Sequence, residues 1–433
     1  MHLLFLNRSF WPDLEATGQN LTELCEDLSV EHDVTVIAGP SYHVLTPQRG
    51  LWTKDKLGRI NILRTWGTRF PKRRLLARMA NLGSYFVLAG LAALTVTKPD
   101  VIVVATDPPL LGALGVWLKH RWRCPLVYNI RDLYPDVAEA NGGVKNPLLL
   151  GLLKWSNDLA SAKADKLVVL ADDMRRRVVA KGVPDHKIAI VHNNVDCRKM
   201  HPIEPNAFRA RWTDKFVVMY SGNLGLSQQL ETVLDAADLL RADQRIVFLM
   251  VGEGARKNWL KDRARDLKLM NVEFLPYQPK ERLAESLSAA DLHLIPLLKA
   301  ATGAIVPSKI YGILAVGRPF VAMTDENAEA ARLARDYAVG FVATPGDAAG
   351  LARVISNGAD KRAELQKMGC SARRLAIEEY DRPIIARKFS AVISSVNRSD
   401  AGGRNAESRL KDPHNPEWTR PKLDTKMSFR ASQ

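Results

Sequence analysis

The sequence predicts an α/β protein with two doubly wound parallel-sheet domains that face each other across a cleft. Short apolar segments alternate with helical segments along the chain, which is the pattern of parallel sheets covered on both faces. The alternation stops at a polar, proline-punctuated stretch, residues 193–214, and then starts again. A length of 433 residues also exceeds the common size of one domain, so two domains are expected.

The first series of elements predicts an N-terminal domain over residues 1–195. Its strand candidates are short, apolar and poor in charged residues, as buried parallel strands are. Helices are predicted between them, among others over 17–28 and 73–96. The strand candidates lie at residues 3–6, 34–38, 60–64, 101–105, 126–130, 167–170 and 188–191. Both this domain and the next are expected to be Rossmann-like.

The second series predicts a C-terminal domain over residues 215–378, joined to the first by a linker at 196–214. A helix at 379–397 is expected to return toward the N-terminal domain. The basic tail, 398–433, is polar and lacks periodicity, so it is expected to be disordered. The strand candidates of this domain lie at residues 216–220, 246–251, 272–275, 292–296, 320–323 and 340–342.

The formal net charge of +15 indicates an anionic partner or substrate. Nucleic acid is not expected, because no RNA-binding aromatic motif, helix-turn-helix or zinc-finger pattern is present. A basic amphipathic segment before the apolar run 85–96 is suited to an anionic membrane surface, although a solvated helix face has the same pattern. Its basic residues are Arg69, Lys72, Arg73, Arg74 and Arg78.

The composition also predicts what the protein lacks. The run 85–96 is too short to span a bilayer, and no signal peptide is recognisable at the N-terminus, so neither a transmembrane segment nor a leader is expected. The scattered cysteines contain no CxxC pair, which favours a reducing compartment and argues against a disulfide framework or a zinc site. They are Cys25, Cys124, Cys197 and Cys370.

A glycine loop that leads into a helix stands out at residues 302–322. Gly303 follows an apolar strand, Pro307 takes the place of a first helical residue, and Ser308 and Lys309 follow in the first turn. A lysine there opposes the positive end of the helix dipole unless an anion is bound, so the stretch predicts a phosphate site. A solvent-facing lysine on an ordinary turn is the alternative.

Two further glycine turns follow strands of the same domain. Gly222 and Asn223 form the first, and Gly252 and Gly254 form the second, after which Arg256 and Lys257 supply two cations. Three such turns together favour a phosphate site. Neither a complete GxGxxG fingerprint nor a P-loop pattern is present, so an NAD or ATP enzyme is disfavoured.

In the N-terminal domain, two loops that follow strands carry polar residues. Their position at the ends of strands predicts that they face the cleft. Arg131 and Asp132 follow one strand and could equally form a structural ion pair. The loop over residues 8–20 contains a second candidate group, for which a simple capped turn is the alternative: Glu15, Thr17, Gly18 and Gln19.

These residues lie in segments that resemble a known family. SGNLG, FLMVGEGARKNWL, VEFLPYQPKERLAESLSAADLHLIPL and GAIVPSKIYGILAVGRPFVA resemble the C-terminal domain of GT-B glycosyltransferases of family four. NIRDLYPD and IAIVHNNVDCRKMHP resemble the same family, and the resemblance covers about residues 1–395. The subgroup is that of bacterial capsular, exopolysaccharide and O-antigen repeat-unit transferases, including colanic acid and L-fucosamine transferase-like enzymes.

The resemblance implies transfer of a hexose or N-acetylhexosamine from a nucleotide diphosphate donor, a UDP-sugar in preference, to a polyprenyl-diphosphate-linked acceptor. It further implies a retaining reaction without a metal or other cofactor, at the cytoplasmic side of the inner membrane. Catalytic roles are expected for Arg131, Asp132 and Lys309. Donor contacts are expected from Gly222, Asn223, Gly252, Gly254, Arg256, Lys257, Gly303, Ala304, Ser308 and Lys309. Acceptor contacts are expected from Glu15, Thr17, Gly18 and Gln19.

The chain departs from the family pattern at several of these positions. Two glutamates common in the family correspond to Ala304 and Gly312, a basic pair corresponds to Ser227 and Gln228, and a common histidine corresponds to Arg131. An inactive binding subunit and a sugar-nucleotide epimerase of the same fold are therefore alternative functions.

Overall fold

The fold is taken from a computed structural model that describes residues 1–410 except 14, 42–49, 69, 71–74, 141–145, 205 and 227. It contains two sheets in sequence order, one of eight strands and one of six, with helices between the strands. Among the described strands, every pair is parallel except that of β3 (Trp52–Leu57) with β4 (Ile60–Thr65). The predicted architecture of two parallel-sheet α/β domains is confirmed.

The N-terminal sheet has the strand order β3-β4-β2-β1-β5-β6-β7-β8, in which β3 pairs antiparallel with β4 at the edge. Its central strands are almost fully buried, which is why their sequences are continuous apolar runs. The strands are β1 His2–Leu6, β2 Asp33–Ala38, β3 Trp52–Leu57, β4 Ile60–Thr65, β5 Val101–Ala105, β6 Leu126–Asn129, β7 Lys166–Val169 and β8 Ile188–Ile190.

Helices cover both faces of this sheet. Tyr85 and Ala89 of one helix, Leu118 of a second and Ala160 of a third belong to the core on one face. The helices are α1 Ala16–Leu28, α2 Leu75–Ala93, α3 Leu111–Trp122, α4 Asp136–Ala140, α5 Pro147–Lys163 and α6 Asp172–Ala180. Thus α2, α3 and α5 form one layer, while α1 packs in the core of the opposite face.

The C-terminal sheet has the order β11-β10-β9-β12-β13-β14, with β9 in the interior. Its strands are β9 Phe216–Ser221, β10 Ile246–Val251, β11 Val272–Leu275, β12 Leu292–Pro296, β13 Phe320–Met323 and β14 Gly340–Ala343. Its helices are α7 Glu231–Leu239, α8 Lys257–Asp266, α9 Leu283–Ser288, α10 Lys309–Ala315, α11 Glu329–Asp336, α12 Ala348–Asp360 and α13 Arg362–Leu375. The order reverses between β9 and β12, and ligands of such sheets bind where the order reverses.

The last helix, α14 Arg382–Leu410, returns to the N-terminal domain and packs beside α1. Phe389 lies 6.3 Å from Phe5, ring centroid to ring centroid, and Ile393 is fully buried in the same core. Arg382 donates to Asp27 at 2.8 Å, which ties the start of the helix to α1. The helix continues thirteen residues past the predicted boundary at 397. It therefore includes residues 398–410, the first part of the basic tail that was expected to be disordered.

Within the described residues, no helix has both the length and the apolar character needed to cross a bilayer. The predicted basic segment cannot be compared with the structure, because Arg69, Lys72, Arg73 and Arg74 lie outside the described residues. The helix predicted over 73–96 is α2, which begins at Leu75 and ends at Ala93.

Candidate active site

The carboxyl ends of the strands in the two sheets carry most of the predicted site residues. On the C-terminal side, the loop after β9 contains Gly222 and the loop after β10 contains Gly252. On the N-terminal side, Asp107 follows β5 and Arg131 follows β6. The parallel topology therefore brings together residues that are far apart in the sequence.

Lys309 points into the glycine loop after β9. Its Nζ lies 3.7 Å from the centre of the Tyr220 ring, and a Cβ placed on Gly222 would be 2.9 Å from that nitrogen. The nitrogen is buried and has no hydrogen-bond partner among the described residues. An ammonium group that is buried without a partner is costly, so this position is suited to an anion.

Burial lowers the pKa of Lys309 to about 7. Burial is the one cause of this lowered pKa, and no carboxylate among the described residues offsets it. Burial thus disfavours the charged form of this lysine, and a negative group beside the nitrogen would favour it.

The helix after the glycine loop was predicted to begin at Pro307, and in the structure it begins later. Here α10 begins at Lys309, two residues after Pro307, and has only seven residues. Ser308 is exposed and makes no capping hydrogen bond. The positive charge at the site is therefore that of the lysine side chain.

The two glycine loops are joined by backbone hydrogen bonds. Gly222 N donates to Val251 O at 2.9 Å, and Leu224 N donates to Glu253 O at 2.8 Å. Gly252 has a φ of 142°, a conformation that side chains disfavour, and its hydrogen faces the Gly222 carbonyl. Only glycine at position 252 allows the two loops to touch here.

The other predicted cations of the donor site are engaged elsewhere. The Arg256 guanidinium stands 3.9 Å over the Trp259 ring and 3.7 Å from Glu231. Lys257 Nζ is 2.5 Å from Glu253. The backbone carbonyl of Asn223 accepts a 2.6 Å hydrogen bond from the Tyr220 hydroxyl. Of the predicted cations, Lys309 alone combines burial with a free ammonium group in the described structure.

Gly303 and Ala304 contact the N-terminal domain. Leu133 N donates to Ala304 O at 2.9 Å, and Gly303 has a φ of 70° and lies against the backbone of Asp173. Arg177 donates to Thr302 O at 2.6 Å. This loop of the C-terminal domain is thus part of the interface between the domains.

Arg131 and Asp132 are held at the end of β6 by buried neighbours. Both backbone N–H groups donate to the Thr106 hydroxyl, at 3.1 and 3.2 Å, and the Arg131 guanidinium donates to the Asn193 side chain. Burial lowers the pKa of Arg131 to about 10. Burial also raises the pKa of Asp132 to about 6, against the opposing effect of Arg131 and with a contribution from Asp107.

The predicted acceptor loop is organised around Arg8, which was not among the predicted site residues. Arg8 donates to Glu15 at 2.9 Å and to Asp107 at 3.1 Å. The Ser9 hydroxyl also donates to Glu15, at 2.7 Å. Gly18 packs against Ser9, where a Cβ would lie 3.2 Å away, so it supports the loop. Thr17 lies in the first turn of α1 and is partly exposed.

Sequence reasoning also missed Asp107 and Asn193. Asp107 lies two residues after the buried strand β5, in the segment ATDPP, and Asn193 lies three residues after β8, in HNNVD. Polar residues a few positions after parallel strands were the available signal. Among the described residues, no group of three or more His, Cys, Asp or Glu side chains is arranged to hold a metal ion.

Two family models match the chain in succession. "Glycosyl transferase 4-like domain" matches residues 17–194, and "Glycosyl transferases group 1" matches residues 203–375. A probable glycosyltransferase of Pseudomonas aeruginosa, WbjE, is 26% identical over 335 residues, 75% of this chain and 83% of that protein. The putative colanic acid biosynthesis glycosyl transferase WcaI of Escherichia coli is 28% identical over 361 residues, 78% of this chain and 86% of that protein.

Solved structures share the fold. HepE from Anabaena, in complex with UDP-glucose, has a TM-score of 0.68 at 16% identity and covers 91% of this chain and 100% of its own. Sucrose-phosphate synthase from Thermosynechococcus elongatus has a TM-score of 0.75 at 15% identity, with 92% and 100% covered.

Proposed function

Because the chain belongs to the GT-B glycosyltransferases of family four and resembles exopolysaccharide enzymes, we propose a specific reaction for it. It transfers a hexose or an N-acetylhexosamine from a UDP-sugar to a polyprenyl-diphosphate-linked acceptor. The buried ammonium of Lys309 beside Gly222 is the observation that carries this proposal. HepE binds UDP and UDP-glucose, and the same class of donor is proposed here.

Lys309 would bind the diphosphate of the donor. As the bond between the sugar and the diphosphate breaks, negative charge develops on the leaving phosphate. A fixed cation in a site with little water stabilises that charge more than the ground state. Because Gly222 has no Cβ, the lysine nitrogen can lie close to its loop, and the missing Cβ of Gly252 lets the two glycine loops touch.

Asp132 would hold the hydroxyl of the acceptor that attacks the sugar. Its ionised carboxylate accepts the hydrogen bond of that hydroxyl, while Arg131 and the Thr106 hydroxyl fix the loop. We propose retention of the anomeric configuration, with the departing phosphate taking the proton of the hydroxyl. The Arg8–Glu15 pair would form a further part of the acceptor site.

The experiment that tests the reaction class is thermal unfolding with UDP, GDP or NAD, followed by an assay with the UDP-sugars that give a shift. A ligand at a hundred times its Kd adds about 2.7 kcal/mol of stability, so UDP should raise the Tm measurably. NMR of the product then reports its anomeric configuration. If neither UDP nor GDP stabilises the protein, the transferase proposal fails. Conversion of the donor without an acceptor would favour an epimerase.

The layer of α2, α3 and α5 presents an exposed apolar surface on the N-terminal domain, the domain proposed to bind the acceptor. Trp155 is 54% exposed, Trp117 48% and Leu148 83%. Arg121 and Arg123 are exposed at the end of α3. Among the side chains of this layer that the structure describes, the exposed apolar ones are Val87, Leu91, Trp117, Leu148, Leu152 and Trp155, with Leu94 just after the end of α2.

We propose that this surface lies on an anionic membrane at the cytoplasmic side of the inner membrane. Tryptophan and aliphatic side chains enter the headgroup region, and the neighbouring arginines attract anionic lipid. An acceptor carried on a polyprenyl lipid would then be presented to the N-terminal domain.

The double variant Trp117→Glu, Trp155→Glu should bind vesicles that contain phosphatidylglycerol about tenfold or more weakly, because two aromatic contacts with lipid are replaced by charges. Cosedimentation with these vesicles measures the binding. Leu239→Glu, Met270→Glu, at exposed positions of the C-terminal domain, is the matched control. Equal loss in both variants, or no binding by the wild type, would contradict the membrane surface.

A further inference from the structure

The loops that carry Asp132 and Lys309 belong to different domains and are joined by a direct hydrogen bond. Asp132 lies in the loop after β6, and Lys309 begins α10, after the loop that follows β12. Leu133 N of the first loop donates to Ala304 O of the second at 2.9 Å. Because the acceptor hydroxyl and the donor phosphate are proposed to bind on these two loops, the spacing of the loops matters for transfer.

Arg177 of α6 bridges the same two loops through its side chain. Its Nε donates to Asp136 Oδ1 at 2.8 Å, and Asp136 begins α4, directly after the loop that holds Asp132. Its Nη1 donates to the backbone carbonyl of Thr302 at 2.6 Å, in the loop that leads to Lys309. One guanidinium group is therefore hydrogen bonded to the acceptor side and to the donor side at once.

The loop before α10 also packs closely against α6. Gly303 has a φ of 70°, and a Cβ placed on it would be 2.8 Å from the backbone oxygen of Asp173 and 3.4 Å from Arg177 Cδ. The aliphatic part of the arginine side chain thus lies against the loop whose carbonyl it binds. Ala304, the next residue, is fully buried. In such a closely packed interface, the loop cannot shift without losing its contacts with α6.

The carboxylate of Asp136 keeps a partner when the Arg177 side chain is removed. Lys181 donates to its second oxygen, while Arg177 donates to the first. Burial raises the pKa of Asp136, but the hydrogen bonds and charges of Lys181 and Arg177 outweigh burial and hold it below its ordinary value, so the carboxylate is ionised. Loss of Arg177 therefore does not leave Asp136 as a buried charge without a partner, and what the protein loses is the link to Thr302.

We propose that Arg177 is a positioning residue, which sets the spacing between the loops of Asp132 and Lys309 and contacts neither substrate. The inference rests on the proposed function, because that function assigns one loop to the acceptor and the other to the donor. A displacement of about 1 Å between reacting groups can lower a rate about 10²-fold, so loss of the link acts on the transfer step. Each substrate still binds to its own loop.

Arg177→Ala should lower kcat for transfer from the UDP-sugar about 10- to 100-fold, while KM for the UDP-sugar stays within about threefold of the wild-type value. Guanidinium ion added to this variant should restore part of the lost kcat, because the Arg177 side chain is 34% exposed and the ion can enter from solvent. Urea has a similar shape without the charge and should restore nothing. A variant that was merely destabilised would lose further activity in both additives.

Arg176→Ala is the matched control, because Arg176 is a neighbour on the same helix and also reaches the C-terminal domain. It donates to the backbone carbonyl of Asn327 at 2.9 Å and to Asp172, outside the two loops. Its kcat should stay within about threefold of the wild-type value, as for substitutions away from special contacts. Equal losses in the two variants would assign the effect to contact between the domains in general, and would overturn the proposal, as would an unchanged kcat in Arg177→Ala.

Hydrogen exchange measures the placement of the loops without any substrate. Peptides that cover residues 131–136 and 302–308 should exchange at least about threefold faster in Arg177→Ala, and at the wild-type rate in Arg176→Ala. Unchanged exchange in Arg177→Ala overturns the inference even if the wild type is an active transferase. Faster exchange in a protein that transfers no sugar contradicts the proposed function instead, and supports the placement of the two loops by Arg177.

Discussion

Lys309→Met is expected to lower kcat/KM for the UDP-sugar by about 10²- to 10³-fold, the usual effect of removing one group that stabilises a developing charge. Methionine keeps the length of the side chain but cannot bind the diphosphate. The variant should nonetheless unfold at a higher temperature than the wild type without ligand, because a buried ammonium without a partner is replaced by an apolar group.

The same lysine predicts how pH affects binding and stability. Because its pKa is lowered to about 7 from 10.5, the unfolded chain binds more protons than the folded one between these values, and stability should rise with pH across that range. UDP binds the charged form, so its affinity should fall as pH rises above about 7. Titration calorimetry at several pH values measures the affinity, and both dependences should disappear in Lys309→Met.

Lys261→Met, at an exposed lysine of α8, serves as the control and should leave both dependences unchanged. If Lys309→Met binds UDP with wild-type affinity at every pH, then the lysine does not contact the diphosphate and the donor site lies elsewhere.

Asp132→Asn is expected to reduce kcat/KM by about 10²-fold, within the range found for groups that accept the proton or the hydrogen bond of a reacting hydroxyl. The carboxylate is needed in its ionised form. Since its pKa is raised to about 6, wild-type kcat/KM should rise with pH through about 6 and fall again above about 7 as Lys309 loses its proton. The variant should lose the acidic limb and keep the alkaline one.

Glu15→Gln distinguishes the two acidic candidates of the acceptor side. Glu15 is bound by Arg8 and Ser9, so this variant should weaken acceptor binding while leaving the acidic limb of the pH profile in place. If Glu15→Gln removes that limb and Asp132→Asn does not, the roles of the two carboxylates are exchanged.

The fold could be predicted from the sequence because buried parallel strands need continuous apolar runs. Segments such as 101–105 and 246–251 are buried strands in the structure, and both have their predicted bounds. The edge strand β3 was missed for the converse reason. Its sequence, WTKDKL, is polar and partly exposed, and it becomes a strand through antiparallel pairing with β4.

The candidate site was less accessible to prediction. Lys309 could be singled out because its glycine loop and its place after a strand are local features. Its contact with the Tyr220 ring, 89 residues earlier in the chain, depends on the neighbouring positions of β9 and β12 in the sheet. The same applies to Arg8 and Asp107, which meet because β1 pairs with β5. Local sequence carries no record of these partners.

The return of α14 to the first domain has a consequence for synthesis. The buried face formed by Phe5 and the neighbouring strands is completed by Phe389 and Ile393, which leave the ribosome almost four hundred residues later. Until then the N-terminal half has an uncovered apolar face, although all of its own strands have been synthesised. The two halves are therefore not independent folding units, and a chain cut before Arg382 would lack part of the core of its first domain.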